Sequence, residues 1–175
     1  MAEATGSIHN RLATLENLGE GTVVAEQISG MISYSPFFAE LDREDVRVLA
    51  GFMQVYRAQP GEIIIREGDP GDYMLLLIKG QMDVFKKGLH KNEQHMTTVL
   101  PGMTVGEMSM IDGEPRFATC IAKETSTLAV LTRDKMVKII IEQPRLGAKI
   151  LIKLVTLLSQ RLRQTSQKLL DYMVK

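Results

Sequence analysis

The stretch Pro101–Ala122, PGMTVGEMSMIDGEPRFATCIA, holds the residues whose types and spacing could do chemistry. Val105-Gly106-Glu107 joins strand-like sequence to one short helical turn, Met108–Ile111. A glycine at such a junction lets a ligand approach the backbone closely, because no Cβ stands in the way. Free N–H groups at the start of a helical turn suit an anion. Nine positions beyond Glu107, after the turn Asp112-Gly113-Glu114-Pro115, stands Arg116. Small or β-forming residues follow it (Ala118, Thr119, Cys120), so it reads as opening a strand. An arginine there is costly to bury without a partner, and its planar fork suits a phosphate bidentately. A carboxylate beside it could accept hydrogen bonds from sugar hydroxyls. Glu107 and Arg116 would also hold one another when the site is empty. By spacing alone, the same two residues read sooner as a structural ion pair in a turn.

Three kinds of sequence surround this stretch and must position it. Residues 1–53 read as a helical segment, 54–132 as a β-barrel and 133–175 as C-terminal helices, together one domain. In the first part Ile8, Leu12, Leu15 and Leu18 have helical spacing over Ile8–Leu18, before Gly19 and Gly21 break it. Val23–Ile32 can form another helix. Phe38, Leu41, Val46, Leu49, Ala50 and Met53 line one side of a helix-turn-helix-like pair, with Asp42 as N-cap of its second member.

From Gln54 the chain turns to short β-forming runs divided by glycine: Val55–Arg57, Glu62–Arg66, Tyr73–Lys79, Gln81–Lys86, Thr97–Leu100, Ala118–Ala122 and Ser126–Thr132. That texture indicates a small antiparallel barrel or sandwich, and the fold class is α+β. Residues 86–95, KKGLHKNEQH, read as an exposed hairpin loop.

Helical periodicity returns over Asp134–Gln143 and then from Arg145 to Met173. Leu151, Val155, Leu158, Leu162, Thr165 and Leu169 form a heptad stripe, while Ile150, Leu154, Leu157 and Leu170 give apolar surface on a second side. One domain needs one such side, so a homodimer through this helix is expected. From Pro144 onward seven basic residues stand against one acid, in a chain whose formal charge is zero. With no aromatic or glycine interleaving, that charge reads as a solvated helix face, and DNA binding is not expected.

No apolar run is long enough to span a bilayer, and the N-terminus has neither a basic nor an apolar signal region, so the expectation is a cytoplasmic protein with no membrane partner. One cysteine, Cys120, excludes an internal disulfide. His9, His90 and His95 read as surface residues of loops or termini, and neither a catalytic constellation nor a metal site is expected.

The central stretch resembles the phosphate-binding cassette of cyclic-nucleotide-binding domains. Gly106-Glu107-Met108-Ser109-Met110-Ile111 and Pro115-Arg116-Phe117-Ala118-Thr119 match it position by position. Upstream, Pro60-Gly61-Glu62-Ile63-Ile64, Glu67-Gly68-Asp69, Tyr73-Met74 and Gly80 are similar to the barrel pattern of that family. The Glu-to-Arg spacing looks like the regulatory subunits of cyclic-AMP-dependent protein kinase. Arg161–Lys168 looks like the dimer helix of bacterial catabolite activator proteins. The resemblance implies a small jelly roll flanked by N-terminal helices and a long C-terminal helix. It implies that Arg116 binds the cyclic phosphate and Glu107 accepts from the ribose 2′-hydroxyl. Gly106, Met108, Ser109, Phe117 and Ala118 would line the site. Thr165, and Ser166 from a partner subunit, would reach the adenine, and Arg161 would brace the ligand or Glu107.

One position departs from the pattern. After the arginine, cyclic AMP sites of the kinase type carry Ala and cyclic GMP sites Thr, whereas this chain has Phe117. A guanine-selecting hydroxyl is absent there, which favours cyclic AMP over cyclic GMP. The reading is therefore a stand-alone cyclic-nucleotide receptor, not an enzyme and without a bound cofactor, that signals to an effector protein. The sequence ends at Lys175, close to the expected helix end, so the DNA-binding segment of the activators is expected to be missing. The alternatives are a transcription regulator or a fragment of one, and a domain of this fold bound to cyclic GMP, a cyclic dinucleotide or no nucleotide.

Overall fold

The strand Tyr73–Lys79 decides the layering. The computed structural model describes residues 11–88 and 92–173. In this strand, β4, every residue from Tyr73 to Ile78 is buried. Tyr73, Leu75 and Leu77 enter one apolar cluster, and Met74, Leu76 and Ile78 enter another. Successive side chains of a strand project to opposite faces, so a strand apolar on both must lie between two other layers. Ser126–Thr132 (β9) repeats the pattern, with Leu128 and Val130 on one side and Ala129 and Leu131 on the other.

These two strands are the centre of a five-stranded antiparallel sheet with β1 (Glu16–Glu20), β2 (Gln54–Ala58) and β7 (Thr104–Val105), in the order β1-β2-β9-β4-β7. A second sheet has the order β3 (Ile63–Ile65), β8 (Thr119–Ala122), β5 (Met82–Lys87), β6 (Glu93–Val99). Ile64, Met82, Val99, Cys120 and Ala122 of the second sheet meet Leu75, Leu77, Leu128 and Val130 of the first. Burial there pushes the Cys120 thiol up to about 12. The fold is α+β and jelly-roll-like, but the barrel does not close: among the described residues no strand of one sheet pairs with a strand of the other. Closure needs every edge paired. Here β7 has two residues and β3 three, and the outer strand β6 is exposed and polar over most of its length.

Helices cover the opposite face of the first sheet. They are α1 (Ala25–Gly30), α2 (Arg43–Gly51), α4 (Arg133–Glu142) and the first part of α5 (Pro144–Met173). Ile28, Val46, Leu49, Ile139, Ile150 and Leu154 pack with Met74, Leu76 and Leu131. Asp42 caps α2 in a reciprocal capping box with Asp45, although the first member of that helical pair is only a 3-10 turn, Pro36–Phe38. Among the described residues no helix is long and apolar enough to cross a membrane.

Several local readings are corrected. The described part of Ile8–Leu18 is not a helix but a 3-10 turn, Leu12–Thr14, followed by β1. Leu12 and Leu15 are buried against the inter-sheet core, and an ion pair between Arg57 and Glu16 (3.0 Å) joins β1 to β2. Tertiary pairing has overridden the local spacing. The 86–95 loop is shorter than expected, because β5 runs to Lys87 and β6 starts at Glu93. His95 thus lies on a strand, beside Asp83 (3.0 Å), while His9 and His90 lie outside the described residues. Strand β8 begins at Thr119, so Arg116 precedes it rather than opening it.

Candidate functional site

Gly106 has φ +87° and ends β7 in a left-handed turn that launches α3 (Glu107–Asp112). A Cβ there would lie 2.8 Å from Arg116 Nη1 and 3.0 Å from the Tyr73 carbonyl, so the close approach requires glycine. Arg116 is fixed by its own backbone: its N–H donates to the Asp69 carbonyl and its carbonyl accepts from Gly68 N–H, both at 2.9 Å. The side chain then runs inward and is only 4% exposed. Its guanidinium stacks on the Tyr73 ring, 4.2 Å from the centroid, and Nη1 donates to the Gly106 carbonyl at 3.0 Å. Gly71 clears the space, since a Cβ there would lie 1.9 Å from Arg116 Nε.

Arg116 Nη2 is buried and has no hydrogen-bond partner among the described residues. Desolvation lowers the pKa of the guanidinium, against the attraction of Tyr73, Asp72 and Glu107. A buried cation with an unused donor is costly, and an anion placed against it removes that cost.

Glu107 is 1% exposed. Its Oε2 accepts from Arg161 Nη1 at 2.9 Å, and its Oε1 accepts from Arg161 Nη2 at 3.3 Å and from the Thr104 hydroxyl. Arg161 Nη2 also donates to the Thr104 carbonyl at 2.8 Å. The carboxylate therefore pairs with α5 and makes no hydrogen bond with Arg116. The reading in which Glu107 and Arg116 hold one another is corrected: Arg116 turns to Tyr73 and the Gly106 carbonyl, leaving the carboxylate to the C-terminal helix. A carboxylate offers about four acceptor sites, so with three donors already present Glu107 can take one more.

Gly106, Glu107, Arg116 and Arg161 are thus brought together. Ser109 is buried in α3, whereas Met108 lies on its exposed side. Ala118 is half-buried, and Phe117 is exposed at the rim with Lys86 Nζ 4.3 Å from its ring centroid. Lys86 also donates to the Phe117 carbonyl and to Glu67, both at 2.7 Å. That hydrogen bond, with the Lys87 N–H, holds the Glu67 carboxyl below its ordinary range. Thr165 and Ser166 are exposed on α5 and touch none of the other candidate residues through a hydrogen bond; Thr165 lies one turn beyond Arg161 on the same side. Sequence reasoning missed the roles of Gly71, Tyr73 and Thr104 in packing and bonding the two charged side chains. Tyr73 and Thr104 precede Arg116 and Glu107 by 43 and 3 residues; only the short spacing of Thr104 offered a local signal.

Facing sheets with a buried arginine and a buried carboxylate around one short helix define a domain suited to a small hydroxylated anion. Residues 55–143 match the family model described as "Cyclic nucleotide-binding domain", and the chain belongs to that family. It is 31% identical over 121 residues to a cAMP-dependent protein kinase regulatory subunit of Yarrowia lipolytica, covering 67% of this chain and 31% of the relative. It is 30% identical over 135 residues to the cyclic AMP receptor protein of Thermus thermophilus, covering 77% and 61%. The chain therefore spans less than two thirds of the length of either relative. Among solved structures it is similar to a cyclic nucleotide-binding domain from Methylobacillus flagellatus, with a TM-score of 0.82 and 38% identity over 91% of this chain and 90% of that one.

Proposed function

We propose that this chain is a cyclic-nucleotide receptor that prefers cyclic AMP, acts as a homodimer through α5, and signals to an effector protein by moving α4 and α5 against the sheets. It is read as a receptor rather than an enzyme, working in the cytoplasm. The observation that carries this reading is the Arg116 guanidinium, buried with Nη2 unpartnered and Glu107 nearby in the same cassette. Support for cyclic AMP comes from two relatives named for it and from the missing hydroxyl at Phe117. Ligand would shift the population between two packings of the C-terminal helices.

Calorimetric titration with cyclic AMP and cyclic GMP tests the reading, and no heat with either would overturn it. A preference for cyclic AMP on the order of tenfold, about 1.4 kcal/mol, is expected. Phe117→Thr should move it toward cyclic GMP, and the joint change Thr165→Ala with Ser166→Ala should shrink it. A wild type that prefers cyclic GMP would reverse the assignment of the base while leaving the phosphate site standing.

Glu107→Gln should weaken cyclic AMP by about tenfold, since a charge-assisted hydrogen bond is worth about 1.5–3 kcal/mol and the amide retains part of it. The 2′-deoxy analogue should lose less. Equal losses for both would remove Glu107 from the reading of the sugar.

A further inference from the structure

Both ends of α3 are gripped by arginines from the C-terminal helices. Glu107 at its start is held by Arg161 of α5. At its end stands Arg133, the first residue of α4. Arg133 Nε donates to the Met110 carbonyl at 2.6 Å, and Nη2 donates to the Ser109 carbonyl at 2.9 Å. In α3, which has only six residues, the Ser109 carbonyl also accepts from Gly113 N–H at 3.0 Å, so this guanidinium adds a bond to that carbonyl and bonds the Met110 carbonyl as well. A cation there also complements the helix dipole. Gly113, at φ +79°, makes the room: a Cβ on it would lie 3.2 Å from Arg133 Nη2.

The backbone of Arg133 reaches the other half of the site. Its N–H donates to the Asp72 carbonyl at 2.6 Å, next to Tyr73, on which Arg116 stacks. Downstream, a Cβ on Gly147 would lie 2.9 Å from Ile140 Cα, so α4 and α5 meet almost backbone to backbone. Helices that close move together, because packed interiors do not deform smoothly.

We propose that Arg133 is the positioning residue through which occupancy of the Arg116 site reaches α4 and α5. This rests on the receptor reading above. An anion that draws Arg116 also draws Gly106, through the Nη1 contact, and with it the start of α3. The α3 carbonyls then carry Arg133, and Arg133 carries the start of α4. Arg161 couples the same helix at its other end, so the two arginines turn a displacement of α3 into a movement of α5. The coupling is a difference in packing free energy between two states.

The test is hydrogen exchange read by mass spectrometry on the full chain, with and without saturating cyclic AMP, for wild type, Arg133→Gln and Arg133→Lys, alongside calorimetric affinities. Wild type should show a ligand-dependent change in exchange across α4 and the first half of α5. In Arg133→Gln that change should fall by about threefold or more, while cyclic AMP affinity stays within about threefold of wild type. Arg133→Lys, which keeps the charge and can bond one carbonyl, should recover part of the response. A merely structural role would lower thermal stability and leave the ligand-dependent difference intact. A wild-type response in Arg133→Gln overturns the inference; if that variant does not fold, a full response in Arg133→Lys overturns it. A wild type that binds no cyclic AMP overturns the receptor reading and takes this inference with it.

Discussion

Arg116→Met is expected to stabilise the ligand-free chain while removing most of its response to cyclic AMP. The arginine is buried, has one unpartnered nitrogen, and suffers desolvation that its neighbours only partly offset. Methionine is unbranched and adaptable, so it can follow the same channel past Gly71 and Tyr73. The Gly106 carbonyl that loses Nη1 is not orphaned, because it still accepts from Met110 N–H at 3.3 Å. A gain of about 1 kcal/mol in the free chain is expected on that balance. The loss in binding is larger. Removing one partner of a buried, hydrogen-bonded charge pair costs about 2–5 kcal/mol, so affinity should fall by roughly 30-fold to several-thousand-fold. Thermal unfolding separates the two effects. At a ligand concentration about 100 times Kd, wild type gains about 2.7 kcal/mol. For a chain of this length that is a rise of about 5–10 °C in Tm. The variant should start higher and rise far less. A ligand-induced rise equal to that of wild type would dismiss Arg116 as the phosphate residue.

Replacing Leu158 and Leu162 together by Asp should convert a dimer to a monomer with its fold intact. The inner side of α5 is spent on the chain itself, where Ile150 and Leu154 are buried and Leu157 packs beside them. The heptad stripe is left over: Leu151, Val155, Leu162 and Leu169 are exposed, Leu162 by 68% and Val155 by 64%. Leu158 is half-buried, and every residue from Leu162 to Met173 is exposed. Four-and-three spacing of apolar residues fits a second helix. Carboxylates on that seam would lose their hydration with no partner, which is costly. Light scattering should therefore give twice the 19.5 kDa chain mass for wild type and the chain mass itself for the variant. The variant should keep phosphate-directed binding, because Arg116 and Glu107 lie within one chain. Its preference for cyclic AMP should shrink if Ser166 acts across the seam. A wild type that scatters as a monomer at high protein concentration would end the dimer proposal.

Features that depend on near neighbours were determined by the sequence alone. Tyr73–Lys79 and Ser126–Thr132 have the strand limits expected from their apolar runs and flanking residues. Asp42 caps a helix because the capping residue and the N–H it accepts from are three positions apart. Gly106-Glu107 and Arg116 were singled out by their resemblance to the phosphate-binding cassette, because their spacing alone also fits a structural ion pair in a turn. Features set by burial and by distant partners were decided only in the tertiary structure. The spacing of Leu12, Leu15 and Leu18 suits a helix, but pairing with β2 makes the chain from Glu16 a strand. Gly71 and Tyr73 shape the channel of an arginine more than forty residues later. The resemblance offered Arg161 as a brace for the ligand or for Glu107, and the packing of α5 on the first sheet, which brings it to Glu107 from 54 residues away, decides for Glu107 in place of a cation in the neighbouring loop. A carboxylate buried in a short helix takes whichever donor the folded chain delivers, and chain spacing carries no record of that choice.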